Sequence, residues 1–338
     1  GLPLVWIDGK TTNDGWVTID PTQDELVFEE MGKTQLWFGN KGLFPIVEVG
    51  TEAELREALL AEHVRFIKIT QDILLTENKV EFLRNDVAIH GNNHTVSLES
   101  EAGWQGDFLF HAYKVTGISI KDLEIIGGDA AMLVNGSEVV LSNITMSGQE
   151  FGGIEVSQGS GVTEEPKLTA TNLTGQEPGL PLVWIDGKTT NDGWVTLDPV
   201  QSEVVLTEKN QLWFGETKTV TSNGNGLVNI SFMSGTDQIL VHSGGNVISG
   251  TEVTFEIVYN HEQKFMSFKI NGVDHAIDET SDSKTTYVVE DDTTVTFTVA
   301  FLSSKIISFE SNGGNVIPNQ EVVEGTVTEK PTDPTKEG

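Results

Sequence analysis

The sequence has no cysteine, so disulfides, thiolate metal sites and a thiol nucleophile are all excluded. Arginine is almost missing as well, with only Arg56, Arg65 and Arg84 in 338 residues. Lysine and arginine total 20 against 51 aspartates and glutamates, and the net charge of −31 argues against nucleic acid, an anionic membrane surface or a polyanionic ligand as partner. No apolar run approaches the roughly 20 residues of a membrane-spanning helix. There is no glycine-rich loop leading from a strand into a helix, no Gly-x-Ser-x-Gly elbow and no credible catalytic triad. What remains is 37% hydrophobic and 21% charged, a globular composition long enough for several domains. The chain starts without Met and stops in a Pro/Thr/Lys stretch, so it reads as a monomeric segment of something longer, with any export signal or anchor elsewhere.

A repeat stands out. GLPLVWIDGKTTNDGWVTIDP at 1–21 recurs at 179–199 with Ile19 changed to Leu197, and QLWFG recurs at 35–39 and 211–215. In each copy VWID and a WVT run flank GKTTNDG, whose Asn-Asp-Gly suits a turn, so each copy is expected to be hairpin-like. Trp6, Trp16, Trp184 and Trp194 are candidates for stacking on sugar rings, although tryptophan beside a tight turn also serves as partial core. Asp8, Asp14, Asp186 and Asp192 are candidates for holding Ca²⁺, with turn chemistry as the other explanation, since the spacing matches no EF-hand loop.

Between the copies, TEAELREALLAEHV at 51–64 is the one convincing helix, with Thr51 and Glu54 as a capping box and Leu55, Ala58 and Leu59 as its apolar face. Short alternating runs follow to about residue 175. Three of them, ISIKDLEIIGG at 118–128, VVLSNITMSGQ at 139–149 and KLTATNLTGQ at 167–176, align so that Asp122, Asn143 and Asn172 take equivalent places. Like residues recurring at coil-sized intervals predict a parallel β-helix, in which an inward polar residue at a bend pairs with its neighbour in the next coil to form a structural ladder. His90 and His94 sit on a Gly-Asn-Asn turn where they need not converge on a metal, and His90, His94 and His111 are expected to be solvated.

The order helix, IKITQDILLT, VAIHGNNHTVSL and Asn/Asp coils resembles the pectate-lyase-like adhesive domain of Gram-positive cell-surface proteins over 47–178. The resemblance implies a right-handed parallel β-helix with one N-terminal capping helix, used as a surface module. Lyases on such a fold use Arg or Lys as base and Ca²⁺ to neutralise a uronate. Here the three arginines fall on the helix or near the first coil, and 47–178 carries 21 acids against 8 bases, which disfavours polyuronate.

Beyond 227 the pattern is β throughout, with Asn271-Gly272 as a hairpin turn. G-x-x-V-T-F at 250–255, F-x-x-F-x-x-N-G at 265–272 and Y-x-V-x-x-D-x-T-V at 287–295 resemble the divergent small β repeat of internalins. IISFESNGGNVIPNQEVVEGTVTEKPTDPTKEG at 306–338 resembles the start of the Listeria-Bacteroides repeat. The whole is expected to be all-β, with Trp-containing units at 1–46 and 179–226, the β-helix at 47–178, and small repeats at 227–304 and 305–338. The expected role is an extracellular adhesin on a bacterial cell surface, with no catalytic residue and no cofactor unless the aspartates hold Ca²⁺. Its partner would be a glycan or a host or matrix protein. A Ca²⁺-dependent polysaccharide lyase or hydrolase and a purely structural spacer are the alternatives.

Overall fold

A computed structural model describes residues 3–20, 23–30, 33–39, 46–77, 79–99, 103–175, 177–258, 263–277, 283–302, 304–323, 328 and 330–335. Gly1, Leu2 and Pro21 of the first repeat copy and the last residues of the terminal repeat lie outside them. Among the described residues there is one helix, and nearly everything else is strand or turn. The chain divides into two compact units, unit 1 comprising Gly1–Lys218, Met233–Ile239 and Val247–Thr251, and unit 2 comprising Thr219–Phe232, Leu240–Asn246 and Glu252–Gly338.

Unit 1 begins with β1 (Val5–Asp8), β2 (Asp24–Glu30), β3 (Lys33–Gly39), β4 (Ile46–Val49) and α1 (Glu52–Leu60). It continues through β5 (Phe66–Ile69), β6 (Ile73–Leu75), β7 (Val80–Phe82), β8 (Ala88–Leu98), β9 (Phe108–Tyr113), β10 (Ile118–Gly127), β11 (Ala130–Asn135) and β12 (Glu138–Ser147). β13 (Gly152–Ser157), β14 (Lys167–Gly175), β15 (Val183–Asp186), β16 (Val195–Asp198), β17 (Ser202–Leu206) and β18 (Gln211–Gly215) complete the run of strands that lie wholly within it.

From β8 to β16 successive strands alternate between two sheets. The first runs β16-β14-β12-β10-β8-β5-β4 and is parallel and open, with free ends at β16 and β4. The second runs β17-β18-β15-β13-β11-β9-β7, parallel from β7 to β15 and then antiparallel. Register stacks like on like: Ile120 beside Leu141 beside Ala170 beside Leu197 in the first sheet, and Phe110 beside Met132 beside Ile154 beside Val183 in the second. These side chains fill one continuous apolar core. Each fully buried aliphatic contributes about 1.5–3 kcal/mol, so the rows hold successive strands together through their neighbours.

Helix α1 closes one end of this core with Leu55, Ala58 and Leu59. The capping box forms as the sequence indicates: Glu54 N–H donates to Thr51 Oγ1, and Thr51 N–H donates to the Glu54 carboxylate. No basic residue lies in the last turn, but Arg84 donates to the carbonyls of Ala58 and Leu59 and so satisfies that end from the bend that follows β7.

The long strands of the first sheet bend at a single residue. Asp122, Asn143 and Asn172 have φ of 51°, 52° and 53°, the left-handed region that Asn and Asp tolerate best. The extra residue rotates the strand, so that Ile120 and Leu123, three apart, both reach the core. Asn143 Nδ2 donates to Asp122 Oδ1 at 2.8 Å and Asn172 Nδ2 donates to Asn143 Oδ1 at 2.9 Å, with His90 Nε2 3.0 Å from Asp122 Oδ2. The ladder points outward, not inward as expected, because the bulge turns the polar side chain to solvent while its apolar neighbours take the core side. Asn143→Ala is expected to cost about 2–3 kcal/mol, through a strained left-handed Cβ and two lost bonds, and Asn143→Gly about 1 kcal/mol, because only the bonds go. Urea midpoints of the two variants check this; equal losses would mean that backbone conformation is immaterial here.

The two repeat copies are not hairpins of VWID on WVT. In the second copy, β15 joins the second sheet and β16 the first, so the intervening loop carries the chain from one sheet to the other. Asn191 braces the loop by bonding both N–H and C=O of Val195, as Asn13 does with Val17 in the first copy. The second copy therefore extends both sheets instead of packing beside their end. In the first copy β1, β3 and β2 form a separate three-stranded antiparallel sheet around Ile7, Leu36 and Phe38.

The remaining strands are β19 (Thr217–Gly224), β20 (Leu227–Ser234), β21 (Asp237–Val241), β22 (Gly245–Ile248), β23 (Thr251–Val258) and β24 (Gln263–Ile270). After them come β25 (Val273–Asp274), β26 (Lys284–Val289), β27 (Thr293–Phe301), β28 (Ser304–Ile307) and β29 (Gln320–Val323). β24 turns through Asn271-Gly272 into β25, as the dipeptide indicates, and pairs with β27. β20 pairs with β23, and Phe255 packs against Phe268 with centroids 5.9 Å apart. Ser311, Asn312, Gly313 and Gly314 make a turn, closed by Gly314 N–H donating to Ser311 O at 2.9 Å.

Candidate ligand-binding cleft

Parallel register sets outward side chains in rows as surely as inward ones. On the outer face of the second sheet, Glu81, His111, Leu133, Glu155 and Trp184 occupy one row, and Trp213 continues it across the antiparallel pair. Trp184 lies across Gly152, where a Cβ would meet its ring at 2.9 Å, so glycine at that position lets the indole lie against the sheet. Gln211 Nε2 donates to Asp186 Oδ1 at 2.8 Å, and Trp213 Nε1 donates to Gln211 Oε1 at 3.0 Å, which fixes a polar chain at the row's end.

Loops rise around this end of the row. Trp104 stands edge-on to Phe108 and Phe151, with centroids 5.6 and 5.2 Å away. Its loop is pinned by the buried Asp129, whose Oδ2 accepts the amides of Gln105, Gly106 and Asp107, and by Glu150, which accepts Gly103 N–H. Lys209 donates to Ser234 O and Oγ and ion-pairs Asp237, holding a wall of residues 233–237. The enclosed cleft measures about 770 Å³ and is lined by Trp104, Phe151, Trp184 and Trp213 together with Glu150, Glu155, Asp186, Lys209 and Gln211. All of it belongs to unit 1.

Glu155 is its chemically distinctive group. Burial pushes its carboxyl up to about 7, the neighbouring Asp186 carboxylate adds to this, and a bond with Ser157 opposes it. Near neutral pH it is therefore both donor and acceptor. His111 is not a solvated turn residue: burial lowers its pKa against the pull of Glu81 3.3 Å away. His90 and His94 are half-buried, not fully solvated, and pair with Asp122 and Asp72.

The four tryptophans named from sequence separate. Trp184 and Trp194 are 5% and 3% exposed, and only Trp184 borders the cleft. Trp194 lies in the core with the Lys188 ammonium 4.0 Å above its ring. Trp6 and Trp16 are 56% and 64% exposed. Trp6 borders a second, apolar cleft of about 410 Å³ with Phe28, Trp37 and Phe66. Each candidate Ca²⁺ aspartate is engaged locally: Asp8 by Gln35, Asp14 by Thr12 and Lys10, Asp186 by Gln211 and Asp192 by Lys188. Among the described residues no three His, Asp or Glu side chains converge as a metal site.

Glu155, Trp104, Phe151 and Trp213 were missed as site residues. Aligning the runs FLFHAY, AAMLVN, GGIEVS and LVWID, which become successive strands of the second sheet, would have placed His111, Leu133, Glu155 and Trp184 in one row. Trp104 and Phe151 come from loops outside that periodicity and left no such signal.

Residues 46–177 match the family described as "Putative pectate lyase-like adhesive domain". No curated protein and no solved structure matches the chain. The matched stretch carries Trp104, Phe151 and Glu155, while Trp184, Lys209, Gln211 and Trp213 come from the repeat copy beyond it.

Proposed function

We propose that this protein is an extracellular adhesion module of a bacterial cell surface that binds an uncharged glycan in the aromatic cleft of the second sheet. The reading takes the alternating sheets as coils of a right-handed parallel β-helix and the C-terminal strands as internalin-type modules that extend it from the wall. One observation carries it: indole and phenyl rings border a cleft whose polar groups are carboxyls, an amide and an ammonium, the set that stacks on sugar rings and bonds their hydroxyls. Excess negative charge disfavours acidic polysaccharides.

Binding without turnover fits the basic residues. Arg56 serves Glu52 and the carbonyls of Glu77 and Lys79, Arg84 serves the end of α1, and Arg65 bonds Asn85 O. Lys114 bonds Gly161 O. A lyase base would have to be withdrawn from such a role. A glycan array followed by calorimetry on the whole chain tests the proposal. A neutral oligosaccharide is expected to bind, and Trp104→Ala, a half-exposed rim residue, is expected to weaken it about tenfold, in keeping with the loss of one stacking contact. An array without hits, or affinity untouched by Trp104→Ala, would overturn it.

A further inference from the structure

Residues 1–21 and 179–199 differ at a single position, yet their surroundings are opposite. β15 is paired along both edges, by β18 on one side and by β13 on the other, and β16 is paired by β14. Its counterpart β1 is paired only by β3 among the described residues, and residues 17–19 form no strand. The carbonyls of Pro181 and Leu182 accept the amides of Gly153 and Ile154, and Trp194 O accepts Leu168 N–H. Pro3, Leu4 and Trp16 present the same carbonyls with no strand against them among the described residues. Burial follows pairing: Trp194 is core while Trp16 is exposed, and Leu4 is 60% exposed. An unpaired edge flanked by exposed large apolar side chains is a surface that folded proteins usually cover.

We propose that residues 3–19 are the docking surface for the last coil of a second unit built like residues 46–178, joined in tandem on the N-terminal side. The counterparts of β13 and β14 would add in parallel to β1 and to residues 17–19. The second repeat copy shows what covers this sequence when a coil precedes it, and 20 of 21 residues are kept to receive the same thing. A separate intact chain is a poorer occupant, because its own β13 and β14 are already paired by β15 and β16. The proposal is independent of the glycan reading, since the cleft lies at the other repeat copy.

The absence of cysteine supplies the test. Val17→Cys puts the chain's only thiol at a half-buried position whose counterpart, Val195, is 4% exposed. Its labelling rate is measured in the 338-residue chain and in a fusion carrying residues 46–178 directly before Gly1, reproducing the junction at Pro178-Gly179. Labelling is expected to slow at least about tenfold in the fusion and to be independent of concentration in the unfused chain. Equal rates in the two proteins would overturn the proposal, whether the added coils fold apart or not at all. Concentration-dependent protection of the unfused chain would overturn it in favour of a second copy.

Discussion

Glu155→Gln is expected to stabilise unit 1 by about 3 kcal/mol at pH 8 and to leave its stability unchanged at pH 4. The carboxyl is raised from 4.5 to about 7 in the folded chain, chiefly by burial and next by Asp186. The folded state therefore holds this proton where the unfolded chain has released it. The stability tied to it is complete below about pH 4.5, falls as pH rises toward 7 and levels off above that. A displacement of about 2.5 units at about 1.4 kcal/mol each sets the scale. Glutamine keeps the shape and a hydrogen-bonding group for Ser157 while removing the ionisation. Urea unfolding of both proteins from pH 4 to 9 reads the difference, and parallel profiles would show that Glu155 ionises as freely as an exposed acid. The same substitution keeps a donor at the cleft above pH 7, where the wild-type side chain has lost its own. Glycan binding by the wild type is thus expected to weaken above neutrality and that of Glu155→Gln to persist.

The second large effect is a contrast between identical sequences. Trp194→Ala is expected to destabilise unit 1 by about 3–5 kcal/mol, the usual range for a deleted core aromatic, while Trp16→Ala costs under about 1 kcal/mol. Trp194 packs among the core residues of the parallel sheets, whereas Trp16 is mostly exposed, with the Lys10 ammonium 4.9 Å from its ring. Guanidinium denaturation of the two variants compares them directly, and similar losses would mean that the first copy is as well packed as the second.

That contrast also shows what local sequence can and cannot specify. The bends at Asp122, Asn143 and Asn172, the cap at Thr51 and Glu54, and the turn at Asn271-Gly272 were legible because each depends on a few adjacent residues with special backbone or side-chain chemistry. The fate of VWIDGKTTNDGWVT was not, because the same letters become two core strands where parallel strands lie alongside, or one strand and a partly exposed loop where, among the described residues, none does. The outward direction of the Asn ladder was also hidden, since composition cannot tell which side of a bulge faces water. The cleft was half legible: its row follows the repeat, but its rim comes from loops tied by Asp129 and Glu150 through side-chain bonds to backbone amides that no residue pattern marks.

The αL bend recurs in β10, β12 and β14, and the side-chain rows run on from strand to strand across both parallel sheets, so this part of unit 1 is divided into interchangeable slices of one strand from each sheet. An insertion or deletion of one entire slice between β8 and β14 would leave α1 on its seat and the aromatic cleft around β15 untouched. Removal of any fraction of a slice would put polar residues into the rows. Each slice gained would therefore widen both parallel sheets by one strand spacing, about 4.8 Å.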